Sequence, residues 1–146
     1  NITPWQDPQN KDLKFLRVRI RKVVLPFLEK QLGSGVFSNL IRTSSQLQED
    51  DQYLSEVATK AFKKIAKTAS NSLSLAQPEL LKLPEAIRNR VIKTAIDYFE
   101  VDSSRAHVLA VADLVLNWHG QKPLALPGVR VERKGKTITL KATQEK

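Results

Sequence analysis

The apolar side chains of this chain change their period once. Between residues 13 and 118 they recur mostly at helical spacing, and after Gly120 they alternate with polar ones. A period near 3.6 puts apolar residues on one face of a helix, and a period of two puts them on one face of a strand. The chain is therefore expected to be mainly α with a small C-terminal β-meander. This is an α+β arrangement in which a helical linker is followed by a small helix-plus-strands domain.

Proline, glycine and short polar runs mark the divisions. Residues 1–10 contain Pro4, Asp7, Pro8 and Asn10 and read as an irregular arm ending in a helix cap. A helical stripe then runs through Leu13, Leu16, Ile20, Val23, Val24, Phe27 and Leu28. Pro26 interrupts it. Proline has no N–H and disfavours helix at the residue before it, so a break or kink is expected at Leu25. Gly33-Ser34-Gly35 ends the segment. Residues 36–69 read as one long helix, or two with a bend near residues 43–45. Ser70-Asn71-Ser72 interrupts again and marks the best boundary between two halves. Leu73 and Leu75 then alternate with serines, as a short strand or an extended linker would.

Two more helices are expected. One follows Leu80 to Phe99, with Pro84 opening a new turn. The other runs from Arg105 to Trp118 behind the Asp102-Ser103-Ser104 cap. Residues 123–127, 129–134 and 137–142 form alternating segments, and Gly135 in RKGKT predicts a hairpin turn. The expected domains are an arm and basic helix at 1–33, a linking helix or helix pair at 34–70, and a helix-plus-strands domain at 71–146.

Composition removes several function classes. Among 146 residues there is no cysteine, which excludes a disulfide scaffold, a thiol nucleophile and a cysteine zinc site. No apolar run reaches the ~18 residues of a membrane span. The first ten residues lack the basic and apolar regions of a signal peptide, so a cytoplasmic location is expected. The chain also has no methionine, which suggests a piece of something larger.

The net charge of +9 is unevenly spread. Residues 1–33 carry +4, residues 34–121 are neutral, and residues 122–146 carry +5. Positive ends favour polyanions through long-range attraction and counterion release.

No self-sufficient active site is visible. There is no glycine-rich phosphate loop. His107 and His119 lack metal-ligand spacing, and Glu49-Asp50-Asp51 reads as a solvated acidic face, so no metal site is expected. One constellation stands out. Lys11, Lys14, Arg17 and Arg21 lie along one side of the first helix, and Arg19 and Lys22 widen that basic surface. Asp7 and Asn10 stand just upstream. Arginine forks grip phosphate oxygens in pairs, so Arg17 and Arg21 suit two phosphates, or a carboxylate and a phosphate. A solvated polar face is the alternative.

The stretch WQDPQNKDLKFLRVRIRKVVLPFLE, residues 5–29, resembles the signature that closes the catalytic domain of bacterial tRNA(Ile)-lysidine synthetases. Asp7, Asn10, Phe15, Arg17, Ile20, Arg21, Leu25 and Pro26 stand in register with it. Gln9 and Val18 depart from it, where the family has Ser and Asn. LLKLPEAIRNR at 80–90 resembles the opening of the family's substrate-binding domain, and His107 to Leu140, including NWHGQKPLALPGVRVERKGKTITL, resembles its helix-then-strands ending.

The resemblance implies an ATP-dependent ligase. ATP, with magnesium, adenylates the wobble cytidine of tRNA(Ile), and the lysine ε-amine displaces AMP to give lysidine. The ATP-binding Ser-Gly-Gly-x-Asp-Ser loop of that family does not occur here. This chain is thus expected to be a C-terminal part that binds no cofactor and is inactive alone. Asp7, Asn10, Arg17 and Arg21 would edge the ATP and substrate site. Lys11, Lys14, Arg19, Lys22, Arg130, Arg133, Lys134 and Lys136 would contact tRNA. The implied partners are tRNA, lysine and ATP, with no membrane, and a homodimer stays open. The competing classes are a stand-alone basic nucleic-acid-binding module and a helical protein-interaction domain.

Overall fold

The computed structural model describes residues 12–143. Its contacts divide the chain into two compact units, residues 1–49 and 50–146.

In the first unit a helical run occupies residues 16–32. It opens as α1 (Leu16–Arg19), passes through a π-helical turn (Ile20–Val24) and continues as α2 (Leu25–Leu32). Pro26 explains the turn. It cannot donate to the carbonyl four residues back. The Leu25 N–H instead donates to Ile20 O, five residues back. The helix therefore re-phases through one wide turn where a break or kink was expected. Pro26 falls at the start of α2, where a missing donor is tolerated. Gly33, at φ +94°, terminates α2.

The next helix, α3 (Val36–Ile65), is one continuous element of 30 residues. The division between the units falls within it. Only Ala58 and Ile65 are buried along its length.

The second unit is built on a five-stranded antiparallel sheet in the order β1-β2-β5-β4-β3. Its strands are β1 (Ala66–Ala69), β2 (Ser72–Ala76), β3 (Leu124–Leu126), β4 (Val129–Lys134) and β5 (Thr137–Ala142). The expected meander is β3-β4-β5. The other two strands come from mid-chain, and Ser70-Asn71 is the tight turn between them. Residues 66–69, expected as the end of the long helix, form β1. Leu73 and Leu75 sit in a strand because they pair with Leu140 and Ile138 across β2 and β5 and bury the same face.

Three helices complete the unit: α4 (Gln77–Lys82), α5 (Glu85–Asp97) and α6 (Arg105–Leu116). Leu73, Leu75, Val129, Val131, Ile138 and Leu140 are fully buried on the inner face of the sheet. They form one core with Leu80, Ile92, Ile96, Val111, Leu114 and Val115 of the helices. Strands β2, β4 and β5 bury alternate residues, so the residues between them point away from the helices. No helix among the described residues is long and apolar enough to cross a membrane.

Candidate nucleic-acid interface

The sheet's outer face carries the C-terminal charge excess. Arg130, Glu132 and Lys134 alternate with buried Val129 and Val131 on β4. Thr137, Thr139 and Lys141 alternate with Ile138 and Leu140 on β5. The register sets Arg130 opposite Lys141, and Lys134 opposite Thr137. On β2, Ser72 faces Lys141 and Ser74 faces Thr139. Lys67 of β1 faces Ser74. Directly opposed residues share a face. The outer face thus presents Lys67, Arg130, Lys134 and Lys141 around short hydroxyl side chains, with Glu132 as the acid among them.

Two like charges directly opposed repel, and Glu132 moderates this. Its Oε1 lies 3.2 Å from Lys134 Nζ and 3.6 Å from Lys141 Nζ. The Lys134 hydrogen bond, with attraction from both lysines, holds the Glu132 carboxyl below the usual carboxylate range. One carboxylate leaves the face strongly positive. Lys136 sits in the β4–β5 turn, exposed.

Arg133 stands apart from the other basic residues of this segment. It follows Glu132 by one residue, so its side chain belongs to the helix-covered face. Its Nη1 donates to Leu114 O at 2.8 Å and Val115 O at 3.1 Å, and its Nε donates to Gly135 O at 2.9 Å. Gln77 Nε2 adds a bond to Val115 O at 3.1 Å. The bonds to Leu114 O and Val115 O satisfy carbonyls at the end of α6, which have no partner within the helix. The Arg133 guanidinium also lies over the Trp118 ring.

The basic residues of the first unit are described by themselves. Lys14, Arg17, Arg19, Arg21 and Lys22 are all exposed. Arg17 lies 6.0 Å from the Phe15 ring centroid. Asp7, Asn10 and Lys11 lie outside the described residues. The apolar stripe between the cations is also exposed at Leu16, Val23 and Phe27, and Val18 is the buried residue of α1.

Both histidines have local structural contacts. His107 closes a capping box at the start of α6. Its N–H donates to Ser104 Oγ at 3.3 Å, and its Nδ1 accepts from Ser104 N–H at 3.2 Å. His119 Nδ1 lies 2.9 Å from Asn117 O. Among the described residues no group of His, Asp or Glu side chains is arranged to hold a metal.

Lys141 and Lys67 were not among the residues expected to touch tRNA. The alternation of Ile138 and Leu140 with Thr139 and Lys141 carried the signal for Lys141. Lys67 carried none, because its strand lay within an expected helix.

The family model described as "TilS substrate binding domain" matches residues 75–138. The tRNA(Ile)-lysidine synthase of Leifsonia xyli is 45% identical over 140 residues, covering 94% of this chain and 42% of that protein. That of Mycobacterium tuberculosis is 36% identical over 126 residues, covering 86% and 39%. That of Tropheryma whipplei is 38% identical over 125 residues, covering 84% and 31%. The chain therefore spans about two-fifths or less of the length of these relatives. The chain belongs to the tRNA(Ile)-lysidine synthase family and carries, at residues 75–138, its substrate-binding domain.

Proposed function

We propose that this chain is the C-terminal, tRNA-holding part of a tRNA(Ile)-lysidine synthase. Residues 71–146 are read as the substrate-binding domain, residues 34–70 as the link, and residues 1–33 as the arm and helix that close the catalytic domain. In this reading the rest of the enzyme handles ATP with magnesium, and lysine, in the cytoplasm. The sequence has no phosphate loop and the described residues have no metal-ligating cluster.

The single observation that carries the reading is the outer sheet face with Lys67, Arg130, Lys134 and Lys141. RNA phosphates stand in rows, and lysine and arginine neutralise them without reading sequence. Short Ser and Thr side chains between the cations allow a backbone to approach and can bond phosphate or 2′-hydroxyl oxygens. Arg17 and Arg21 then act at the edge of the catalytic site, where they neutralise charge developing on phosphate or pyrophosphate. Asp7 and Asn10 fix the arm or meet the lysine substrate. Lys11, Lys14, Arg19 and Lys22 add tRNA contacts.

A mobility-shift assay of this chain with tRNA(Ile) tests the reading. Binding that weakens steeply between low and moderate salt supports it, and salt-insensitive binding or none refutes it. The isolated chain forms no lysidine from tRNA, ATP and lysine; product formation would refute the division of labour.

A further inference from the structure

Between α5 and α6 lies an open cleft of about 590 Å³, on elements that belong wholly to the second unit. Small-molecule sites occupy roughly 300–1,000 Å³. Val108 and Leu109 supply an apolar wall. Asn89 contributes an amide, Glu85 a carboxylate at the rim, and Arg90, Lys93 and Arg105 supply an excess of positive charge.

The polar groups of this cleft are not equivalent. Arg90 Nη2 is held by Asp51 Oδ1 at 2.6 Å. Lys93 Nζ is held by Asp97 Oδ2 at 2.8 Å and contacts Ser103 Oγ at 3.2 Å. These two cations are fixed in place and their charge is balanced. Arg105 is exposed and forms no ion pair among the described residues. Asn89 Oδ1 is the opposite case. It is buried and accepts no hydrogen bond from any described residue. A buried acceptor without a donor is rare in a folded protein and calls for a cause.

One ligand chemistry matches all of these groups. It needs a flat body to lie against Val108 and Leu109, an N–H edge for the Asn89 oxygen, and an anion for Arg105. A nucleotide has each of these. We propose that the α5–α6 cleft takes one unstacked nucleotide of RNA. The base enters the cleft, the half-buried Asn89 amide turns to bring its enclosed Oδ1 to an amino or imino N–H, and the phosphate meets Arg105. Unpaired bases are the part of an RNA that a protein can take up singly. The proposal rests on the tRNA-binding reading above and adds a second, single-strand-specific site to the sheet face.

The test titrates the isotope-labelled full chain with three probes followed by amide chemical shifts: AMP, a short single-stranded RNA, and a blunt RNA duplex. AMP and the single strand are expected to shift amides of residues 85–109. The duplex is expected to shift the outer sheet strands and leave residues 85–109 in place. Arg105→Glu should weaken single-strand binding about tenfold, Arg105→Lys should restore most of it, and duplex binding should stay within about twofold. That tenfold loss matches about one charged hydrogen bond. Asn89→Leu should also weaken single-strand binding while raising the melting temperature, because it removes the unpaired acceptor.

Salt-sensitive RNA binding with residues 85–109 unmoved and Arg105→Glu silent would overturn the cleft proposal and leave the sheet reading intact. Absence of all RNA binding would overturn the sheet reading. It would overturn the uptake of an RNA nucleotide by the cleft as well, whatever AMP does.

Discussion

The guanidinium of Arg133 lies over the ring of Trp118, with its carbon 5.5 Å from the ring centroid. This pair ties the sheet to the helix layer, because the same guanidinium donates to Leu114 O and Val115 O at the end of α6. Arg133→Ala is expected to destabilise the chain by about 2–4 kcal/mol, since it strands part-buried carbonyls and removes the stacking on Trp118. Arg133→Lys should recover less than half, because an ammonium cannot reproduce the guanidinium fork. Denaturant melts measure the stability change. Affinity for tRNA, measured where the variant is folded, should fall less than for Lys134→Ala. The opposite order would place Arg133 on the RNA.

The outer sheet cations make a separate prediction. Single alanine substitutions at Arg130, Lys134 and Lys141 should leave stability within about 0.5 kcal/mol, as surface changes usually do. Each should lower the slope of log affinity against log salt by about one for every phosphate it leaves unneutralised. A variant that weakens binding at every salt concentration without changing the slope would not fit a phosphate-binding role for that residue.

Gly128 joins β3 to β4 at φ +67°, and a Cβ there would stand 2.6 Å from Val101 Cγ1. Gly128→Ala combines backbone strain with a clash and should cost about 2–3 kcal/mol. Gly135, at φ +58°, has nothing within 4 Å of its added Cβ, so Gly135→Ala should cost only about 1–2 kcal/mol. Trimming Val101→Ala in the Gly128→Ala background should return part of the loss, read from a double-mutant cycle. A strictly additive pair would mean that the clash is relieved by other means.

Acid sensitivity should trace partly to Asp97. Burial pushes its carboxyl up, but hydrogen bonds from Lys93 and Ser103 and attraction from Lys93 outweigh this and leave it below the usual value. A lowered folded pKa gives stability that is complete above the unfolded value and is lost as pH falls through the folded one. The Asp97–Lys93 pair is largely exposed, so its contribution is screened to below about 1 kcal/mol. Asp97→Asn should therefore destabilise slightly at neutral pH and match the parent at strongly acid pH. A difference that persists unchanged at acid pH would show that Asp97 acts through something other than its charge.

The fold is most legible in the sequence where one residue type dictates one geometry. The alternation in β4 and β5 follows directly from the valines, Ile138 and Leu140. The Ser104 cap lies where its side chain allows. Strand β1 is hidden because all four of its residues are small or polar at the sheet's edge, so burial imposes no period on them. Pro26 signals a disturbance of the helix, yet its outcome depends on whether the neighbouring carbonyls find donors five residues ahead. The role of Arg133 is hidden for another reason. Charge alone does not distinguish a residue facing solvent from its neighbour facing α6, and only the strand's parity against Val129 and Val131 separates them. The α5–α6 cleft has no sequence signature, since its residues come from two helices and a loop.

RNA binding by the outer sheet face is tested most directly by tRNA(Ile) affinity across a salt series, for the parent chain and for the Lys134→Glu/Lys141→Glu pair. The parent should show a steep negative slope of log affinity against log salt. The variant should show a slope shallower by about two or more and much weaker binding at every salt concentration, while still melting cooperatively at a modestly lower temperature because Glu132 loses both lysine partners. Equal affinity and equal slope for the two proteins would contradict RNA binding at this face.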